Sequence, residues 1–535
     1  MLDVKKNTQS HLTNGGIVHL INEIQTSQGL LYSKHDRKTP KRNPEMNKTD
    51  RSPTISSDRN TLSVRPEPQT PLLRYPLRIF LTLSIILGSL PASTISPDEV
   101  SFYLVSYVDK QSDSELDLLH PQDFLSTDAL LRRRRGGVRV DSLDLPLSAN
   151  YLEQVRPFFE EERYHLRWLN ASLVLMTVED AAFVERFPFV TEVKKVGEEE
   201  FGESPLSNLR RRSSDAQPAQ KPELTDDFHG YAAQQSLEVR GDCLHQRGFN
   251  GRGRTIAVLD GGFSRLHQIP FFDTLQERGG ILHKVDLVED DTTVNHGSGH
   301  GSQVLSILAA NIPGLMVGSA PGADYLLYRT ESARHQACLE ELNWAYAVEQ
   351  ADSLGADIIS SSLGYEFGSG GCQEVPYSNQ AARVAVQKGL LIISSAGNGG
   401  TSQNHLVQRP ANEPGVLAIG STDPDGDHSA FSSFGAVDDQ VKPELVAPGE
   451  PTMVASLYDL RVNEANGTSF SAPLVAGFAA CLWQAHPNAT NTQILEALRR
   501  SSPAADRPDR RTGYGKPDFA KAYSILGKMV QERKL

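Results

Sequence analysis

The sequence is poor in cysteine, with four among 535 residues. Cys243, Cys338, Cys372 and Cys481 form no C-x-x-C pair, so neither a disulfide scaffold nor a paired-cysteine metal site is predicted. One or two disulfides would fit an exported protein, and Cys338 and Cys372, which flank a predicted strand, are the candidate pair. Cys481 lies in an apolar predicted helix and is expected to be a buried thiol.

Long apolar runs and an excess of basic charge are also lacking. No stretch of 18 or more apolar residues occurs, which excludes a multi-span membrane protein. The net charge is −13, divided into +6 for residues 1–78 and −19 for the rest. An acidic main body argues against a nucleic-acid partner, whose phosphates need a basic face. With 39% hydrophobic and 22% charged residues, the chain is neither wholly disordered nor fibrous.

The N-terminal part consists of an extension and a short apolar segment. Residues 1–77 are rich in Ser, Thr, Asn, Pro and basic residues, which predicts a disordered basic extension. Residues 78–96 resemble a secretory signal, because Arg78 precedes the apolar run 79–90 and small residues follow it. Signals normally lie at the very N-terminus, so either translation starts downstream or the segment is an internal anchor. We therefore expect a secreted or extracytoplasmic protein, with membrane anchoring and membrane contact through 79–90 as the alternative.

A small α/β unit is predicted for residues 100–197. Its predicted strands are 101–108, 171–178 and 190–196, and its predicted helices are 149–159 and 178–187. The run Arg132–Arg135 is interpreted as a solvated helix face, with a protease-sensitive site as the alternative. Residues 198–228 are rich in Glu, Ser, Arg and Pro, a composition typical of a linker.

From residue 229 to residue 535, short apolar strands alternate with helices. The strands are predicted at 254–259, 357–362, 390–395 and 416–420, and the helices at 300–310, 340–354, 377–388 and 469–485. Continuous apolar strands that alternate with helices indicate a mostly parallel sheet with helices on both faces. The predicted fold class of this region is therefore α/β.

Four polar side chains stand where such a sheet collects its functional groups, at the carboxyl ends of strands and at the helix starts beside them. Asp260 and Asn398 each follow a predicted strand, and His300 and Ser469 each open a predicted helix. A serine hydroxyl needs a base to take its proton, and the base needs an orienting carboxylate. A side-chain amide and a backbone N–H at a helix start are suitable donors to an oxyanion. The four residues together therefore fit nucleophilic hydrolysis.

The blocks around these residues resemble those of the subtilisin-like serine peptidases (subtilases). Asp260-Gly-Gly, His300-Gly-Ser and Gly-Thr-Ser469-Phe-Ser-Ala-Pro occur in that family's Asp–His–Ser order, and the resemblance covers about residues 229–525. It implies a serine endopeptidase that cleaves protein substrates through an acyl-enzyme. Ser469 would be the nucleophile, His300 the base and Asp260 the orienting carboxylate, with Asn398 in the oxyanion hole.

The resemblance has further implications for binding and for processing. Ser361, Ser362, Leu363 and Gly364 would form an edge strand that pairs with the substrate main chain. Residues 100–197 would be a propeptide that assists folding, inhibits the enzyme and is cut off in the 198–228 linker, so that the protein is made as a zymogen. The implied partners are protein or peptide substrates and the chain's own propeptide, and no cofactor is implied.

Two other functions are alternatives. His296-Gly-Ser-Gly-His300 has the i, i+4 spacing of helical zinc ligands, which would fit a metal-dependent hydrolase, but two glycines intervene and no Glu is adjacent. Only His300 directly precedes an apolar helix, so His300 is the predicted base and His296 a loop residue. The second alternative is a non-catalytic relative that only binds. The acidic cluster 286–291 predicts a solvated loop. The resemblance leaves a structural calcium site open as an alternative, since many members of the family bind that ion, but no ligand spacing here supports one and no metal site is predicted.

Overall fold

The structure, a computed structural model, describes residues 100–110, 118–197, 228–332, 338–366 and 375–533. These residues all belong to one compact unit. The predicted extension 1–77, the signal-like segment 78–96 and the linker up to residue 227 lie outside the described residues. Among the helices that are described, none is both long and apolar enough to cross a membrane.

The described part of residues 100–197 contains a four-stranded antiparallel sheet with strand order β2-β3-β1-β4 and several helices. The strands are β1 Val100–Tyr107, β2 Glu161–Leu166, β3 Ala171–Thr177 and β4 Val190–Gly197, and the helices are α1 Thr127–Gly136, α2 Ala149–Val155 and α3 Val178–Val184. Alternate residues of β1 face opposite sides, as the strand period of two requires. Tyr103 and Val105 lie in the small core of this domain, whereas Phe102 and Leu104 pack in a core shared with the rest of the chain.

The larger domain is built on a seven-stranded sheet with strand order β13-β12-β11-β10-β5-β9-β6, in which every neighbouring pair is parallel. The strands are β5 Thr255–Asp260, β6 Ile281–Asp286, β9 Asp324–Arg329, β10 Ile358–Ser361, β11 Leu391–Ser395, β12 Leu417–Thr422 and β13 Leu445–Pro448. Two short antiparallel pairs stand apart from it: β7 Asn311–Ile312 with β8 Met316–Val317, and β14 Thr452–Ala455 with β15 Val462–Ala465.

Helices cover both faces of this sheet. They are α4 Ala233–Glu238, α5 Asp242–His245, α6 Asp273–Glu277, α7 His300–Ala309, α8 Cys338–Leu354, α9 Tyr377–Gln387, α10 Thr468–Ala485, α11 Asn491–Ser501 and α12 Phe519–Glu532. In β5, Ile256 and Val258 pack in the core that contains α7 and α10. Ala257 and Leu259 pack in the opposite core, with α8, α9 and the smaller domain. The predicted fold class, a mostly parallel sheet covered on both faces and preceded by a small α/β domain, is confirmed.

The interpretation of Arg132–Arg135 as a solvated helix face is wrong for the first two residues, although Arg134 is exposed. The run does lie on a helix, α1, but Arg132 is 2% exposed and Arg133 is 1% exposed. Their guanidinium groups form ion pairs with the buried carboxylates of Asp144 and Asp352. A charge run predicts a solvated face only when no partner covers it. Here the C-terminal end of α8 covers it, from more than 200 residues away in the chain.

Candidate active site

Asp260 is the last residue of β5, at the carboxyl edge of the sheet, and its side chain is fully buried. Its Oδ1 accepts a hydrogen bond from the backbone N–H of Gly261 at 2.8 Å. The ring nitrogen Nδ1 of His300 lies 2.9 Å from Oδ1 and 3.0 Å from Oδ2. Because a buried carboxylate is costly unless it is paired, these contacts fix Asp260 as the partner of the imidazole.

His300 is the first residue of α7, and close packing of this helix on β5 delivers its ring to Asp260. A glycine is needed next to it: a Cβ on Gly301 would lie 2.5 Å from the carbonyl oxygen of Gly262 and 2.9 Å from the Cβ of Asp260. With Nδ1 donating to the carboxylate, Nε2 carries the lone pair of the neutral ring. Nε2 has no hydrogen bond within the described residues, and 27% of the side chain is exposed. The ring therefore has one oriented edge and one edge open to the cleft.

Ser469 lies in the first turn of α10, and the ring of the next residue, Phe470, is 5.5 Å from the His300 ring between centroids. Ser469 is 9% exposed. Its hydroxyl donates to the carbonyl oxygen of Ser362 at 3.4 Å, and within the described part of the chain it is not hydrogen-bonded to His300. Hydrogen bonds between catalytic groups often form only when substrate is bound. The present orientation of the Ser469 hydroxyl therefore does not argue against a joint role of Ser469 and His300.

Asn398 follows β11 and lies beside the start of α10. Its Oδ1 accepts two hydrogen bonds from Thr468, from the backbone N–H at 3.0 Å and from the hydroxyl at 2.9 Å. The Thr468 hydroxyl in turn accepts from the backbone N–H of Gly397 at 3.2 Å. These contacts fix the orientation of the amide. Asn398 is exposed, and its Nδ2 group has no hydrogen bond to the described residues. Sequence reasoning missed the role of Thr468, although it stands next to Ser469 in the same block.

The expectation that Ser361–Gly364 form an edge strand is wrong. Ser361 ends β10, a central strand that pairs with β5 on one side and β11 on the other. Its buried hydroxyl accepts from the indole N–H of Trp344 at 3.0 Å. The chain leaves the sheet after Ser361, so that Ser362, Leu363 and Gly364 continue past the strand end. The hydroxyl of Ser362 donates to the backbone carbonyl of Ser469 at 2.8 Å, which brings this segment to the serine.

The two histidines of the possible zinc pair have different partners. His296 lies in the loop before α7, with Nε2 3.5 Å from a carboxylate oxygen of Asp291, whereas His300 faces Asp260. Within the described ranges, no group of three or more His, Cys, Asp and Glu side chains is arranged to hold a metal ion. The arrangement therefore does not support a zinc site built on both rings.

The acidic cluster 286–291 is not the uniformly solvated loop that the sequence predicts. Asp286 ends β6 and is fully buried, because the strand end packs beneath Arg329 of β9. The guanidinium of Arg329 lies 2.7 Å from the Asp286 carboxylate. Glu289 remains exposed and lies 3.5 Å from the same guanidinium. Asp286 is therefore a structural ion-pair partner.

The cysteines fall into two kinds. Cys338, at the start of α8, is disulfide-bonded, and its predicted partner Cys372 lies outside the described residues. Cys243 and Cys481 are free thiols. Cys481 is fully buried, as predicted, and burial raises the pKa of its thiol well above the ordinary value. A buried, protonated thiol is a poor nucleophile.

Comparison with known proteins identifies the family of the chain. The sequence profile of the "Subtilase family" matches residues 251–515. A profile of the "Peptidase S8 propeptide domain, Bacteroidota" matches residues 102–213. The chain is 30% identical to subtilisin BL of Lederbergia lenta over 269 residues, which are 49% of this chain and 88% of that protein. It is also 30% identical to subtilisin E of Bacillus subtilis (strain 168) over 276 residues, which are 50% of this chain and 64% of that protein.

A solved structure gives the same fold. The epidermin leader peptide processing serine protease of Staphylococcus aureus superimposes with a TM-score of 0.52 and 16% sequence identity. The match covers 80% of this chain and 99% of that protein. At this identity the likeness concerns the fold alone. The sequence matches carry the assignment: the chain belongs to the subtilase family, as a serine endopeptidase preceded by a propeptide domain.

Proposed function

We propose that the enzyme hydrolyses peptide bonds through an acyl-enzyme, with Ser469 as nucleophile, His300 as general base and then general acid, and Asp260 as orienting carboxylate. The hydrogen bond between His300 and Asp260, beside the helix whose first turn contains Ser469, is the observation that supports this most strongly. Asp260 fixes the ring tautomer and stabilises the imidazolium that forms when Nε2 takes the proton of the Ser469 hydroxyl.

Charge then develops on the carbonyl oxygen of the substrate. The side-chain amide of Asn398, oriented by Thr468, would donate to this oxygen together with the backbone N–H of Ser469. His300 returns its proton to the leaving amine, which leaves an ester on Ser469. A water molecule, deprotonated by the same ring, then hydrolyses the ester. This sequence needs no cofactor.

The substrate chain would lie along Ser362–Gly364, the segment that continues β10 beyond the sheet. This segment contacts Ser469 through two hydrogen bonds with Ser362, one of which places the Ser469 hydroxyl on the Ser362 carbonyl. Main-chain pairing of this kind demands little of the substrate sequence and fits a peptidase of protein substrates.

Processing follows from the same site. We expect the protein to be made as a zymogen whose active site cuts the 198–228 linker, and to act outside the cytoplasm after removal of the signal-like segment 78–96. N-terminal sequencing of the mature protein tests both points, since it gives the two junctions directly. A mature chain that begins within residues 1–77 would contradict them.

The decisive variant for catalysis is Ser469→Ala. We expect its purified full-length form to keep the 100–197 domain attached. A serine-directed organophosphonate should not label it. Its peptidase activity should fall by about 10⁴-fold or more. Ser471→Ala is the matched control, because Ser471 lies two residues further along α10, fully buried, and its hydroxyl donates to the Ala447 carbonyl at 3.0 Å. Organophosphonate labelling that persists in Ser469→Ala, or activity that a chelator abolishes at once, would contradict the proposal.

A further inference from the structure

The propeptide domain contacts the peptidase domain in two chemically different ways. Its sheet packs apolar residues on α8 and α9, for example Leu104 and Leu166. A separate segment, residues 118–147, is inserted between β1 and α2 and contains α1. We call this segment the charged insertion. It reaches the C-terminal ends of α8 and α9, where its arginines and aspartates form ion pairs with the peptidase domain.

Arg132 of the charged insertion binds the end of α8. Its guanidinium donates to the backbone carbonyl of Ala356, to that of Asp352 at 3.0 Å, and to the Asp352 carboxylate. The last carbonyls of a helix have no partners inside the helix and carry its negative dipole end, so a planar cation with several donors is well matched to them. The Asp352 side chain is fully buried by this contact.

Arg133 belongs to a series of four buried charges, Asp352, Arg133, Asp144 and Lys388, which crosses the domain boundary twice. Its Nη2 lies 2.6 Å from Asp352 in the peptidase domain and 2.7 Å from Asp144 in the charged insertion. Asp144 also accepts from the ammonium of Lys388, directly after α9, at 2.7 Å. Asp141 contacts the same ammonium at 2.8 Å. The positive and negative charges of the two domains therefore alternate.

A third arginine extends the contact to the edge of the sheet. Arg135 Nη2 lies 3.0 Å from the carboxylate of Asp357, immediately before β10. Arg254, directly before β5, contacts the same oxygen at 3.2 Å. One carboxylate of the peptidase domain thus binds one arginine from each domain.

The ends of α8 and α9 leave room for α1. Gly355 directly follows α8 and has a φ of 94°. Gly389 is the second residue after α9 and has a φ of 91°. A Cβ on Gly355 would lie 2.6 Å from the Cβ of Asp128 in α1. Only a residue without a side chain permits both the left-handed turn and the close approach. The surface is therefore shaped for this helix as well as charged for it.

From these contacts we infer that the charged insertion is a selectivity lock: after the linker is cut, the peptidase domain releases a propeptide that lacks one of these charges faster than it releases its own. In the separated domains the charges are hydrated, so burying them in pairs adds little net affinity. A partner that lacks one of them leaves its counterpart buried and unpaired, which is strongly unfavourable. The chemistry that this surface recognises is an arginine-bearing helix followed by two aspartates.

Incomplete satisfaction of the network supports selectivity rather than maximal affinity. Among the residues that the structure describes, Arg132 Nε and Arg133 Nε and Nη1 are buried and have no hydrogen-bond partner. Burial also lowers the pKa of Arg132, whereas Asp352 opposes that shift. An apolar contact of the same size would bind well but would accept many partners.

The lock rests on linker cleavage, as proposed above, but its test does not need self-processing. In the full-length chain carrying Ser469→Ala, a recognition sequence for a site-specific outside protease is placed in the 198–228 linker. After the cut, gel filtration follows the release of the propeptide fragment over time. Arg133→Gln should release it at least about 30-fold faster than the parent chain. Arg134→Gln, which removes the same charge from an exposed position on the same helix, should change release less than twofold.

Equal release from Arg133→Gln and Arg134→Gln would overturn the inference. If the Arg133→Gln chain does not accumulate in folded form, Asp141→Asn gives the reading instead. The Asp141 side chain is 54% exposed, so this variant should fold, but it leaves the buried ammonium of Lys388 with one carboxylate partner instead of two. Several-fold faster release supports the lock, and unchanged release contradicts it. Because the serine is absent throughout, failure of self-processing cannot produce either result.

Discussion

The proposed catalytic cleft and the charged insertion both contain buried aspartates. The aspartate of the cleft faces an imidazole ring, those of the charged insertion face cations, and the two regions differ in whether the groups around the aspartates stay open or are enclosed. In the cleft, Asp260 orients His300, and the outer ring nitrogen and the Asn398 amide donor are left open. In the charged insertion, Asp144 and Asp352 are each bound by two cationic groups and are fully buried. Open groups serve a substrate that comes and goes, whereas enclosed pairs serve one fixed partner.

This comparison predicts that changes in the cleft alter rate and leave stability nearly intact, and that changes in the charged insertion do the reverse. The tests below are ordered by expected effect. In each test of activity, the linker is cut at an introduced site and the propeptide is removed in the same way for every variant, so that differences in processing do not enter the measured rate.

The largest effect is expected for His300→Ala. Without the base, the Ser469 hydroxyl keeps its proton, and kcat should fall by about 10⁴-fold or more. His296→Ala is the matched control: it is also followed by Gly-Ser, but its side chain is 54% exposed in a loop, and the rate should change less than twofold. Initial rates on a peptide substrate and thermal unfolding are measured together. A similar loss of rate in both variants would contradict the assignment of the base.

The sequence proposes the catalytic groups of this cleft because the chemistry restricts them to a few residue types beside glycines and helix starts. Asp260, His300, Asn398 and Ser469 all stand at such positions, and the structure brings Asp260 to His300 and Asn398 to the residue before Ser469. The alternation of apolar strands and helices likewise predicted the parallel sheet. These signals lie within short stretches of the chain, so a single sequence shows them without an alignment.

The sequence was not sufficient where the environment of a residue depends on a distant partner. Arg132 and Arg133 are read as solvated because nothing near them in sequence covers them, and only the end of α8 makes them buried. Asp286 is enclosed in the same way by Arg329 of a neighbouring strand. Ser361 was assigned to an edge because motifs do not give strand order, and β10 proves central. Each of these errors concerns a contact between segments far apart in the chain.

A smaller effect is expected for Asn398→Ala. Loss of one oxyanion donor should lower kcat by about 10²–10³-fold, with KM little changed, because the donor is used mainly in the transition state. Stability should change little, since the side chain is exposed. Thr468→Val, which removes the hydroxyl that orients the amide at 2.9 Å, should give part of the same loss. A change confined to KM would assign Asn398 to ground-state binding and weaken the comparison.

The smallest effect concerns Asp144 and sharpens the comparison from the other side. Burial raises the pKa of its carboxyl, but Arg133 and Lys388 lower it by more, so that the pKa lies below its ordinary value of 3.8. The ionised carboxylate is therefore favoured in the folded protein. Its contribution to the free energy of unfolding is fully present above the unfolded-state pKa and is lost as the pH falls through the folded-state pKa.

In the full-length Ser469→Ala chain, we therefore expect stability that holds at neutral pH and declines below about pH 4, as carboxylates of this kind take up protons. Asp144→Asn should lower the free energy of unfolding at pH 7 by about 3 kcal/mol, because it leaves the cations Arg133 and Lys388 without their shared charge, and should make the decline in acid shallower. Denaturant unfolding at a series of pH values measures both. The activity of the separated peptidase domain cannot depend on this residue, since it lies in the propeptide. If Asp144→Asn leaves the pH profile of unfolding unchanged, the buried pairs do not stabilise the assembled zymogen. The cleft and the charged insertion would then differ in how their polar groups are arranged and not in their effect on stability.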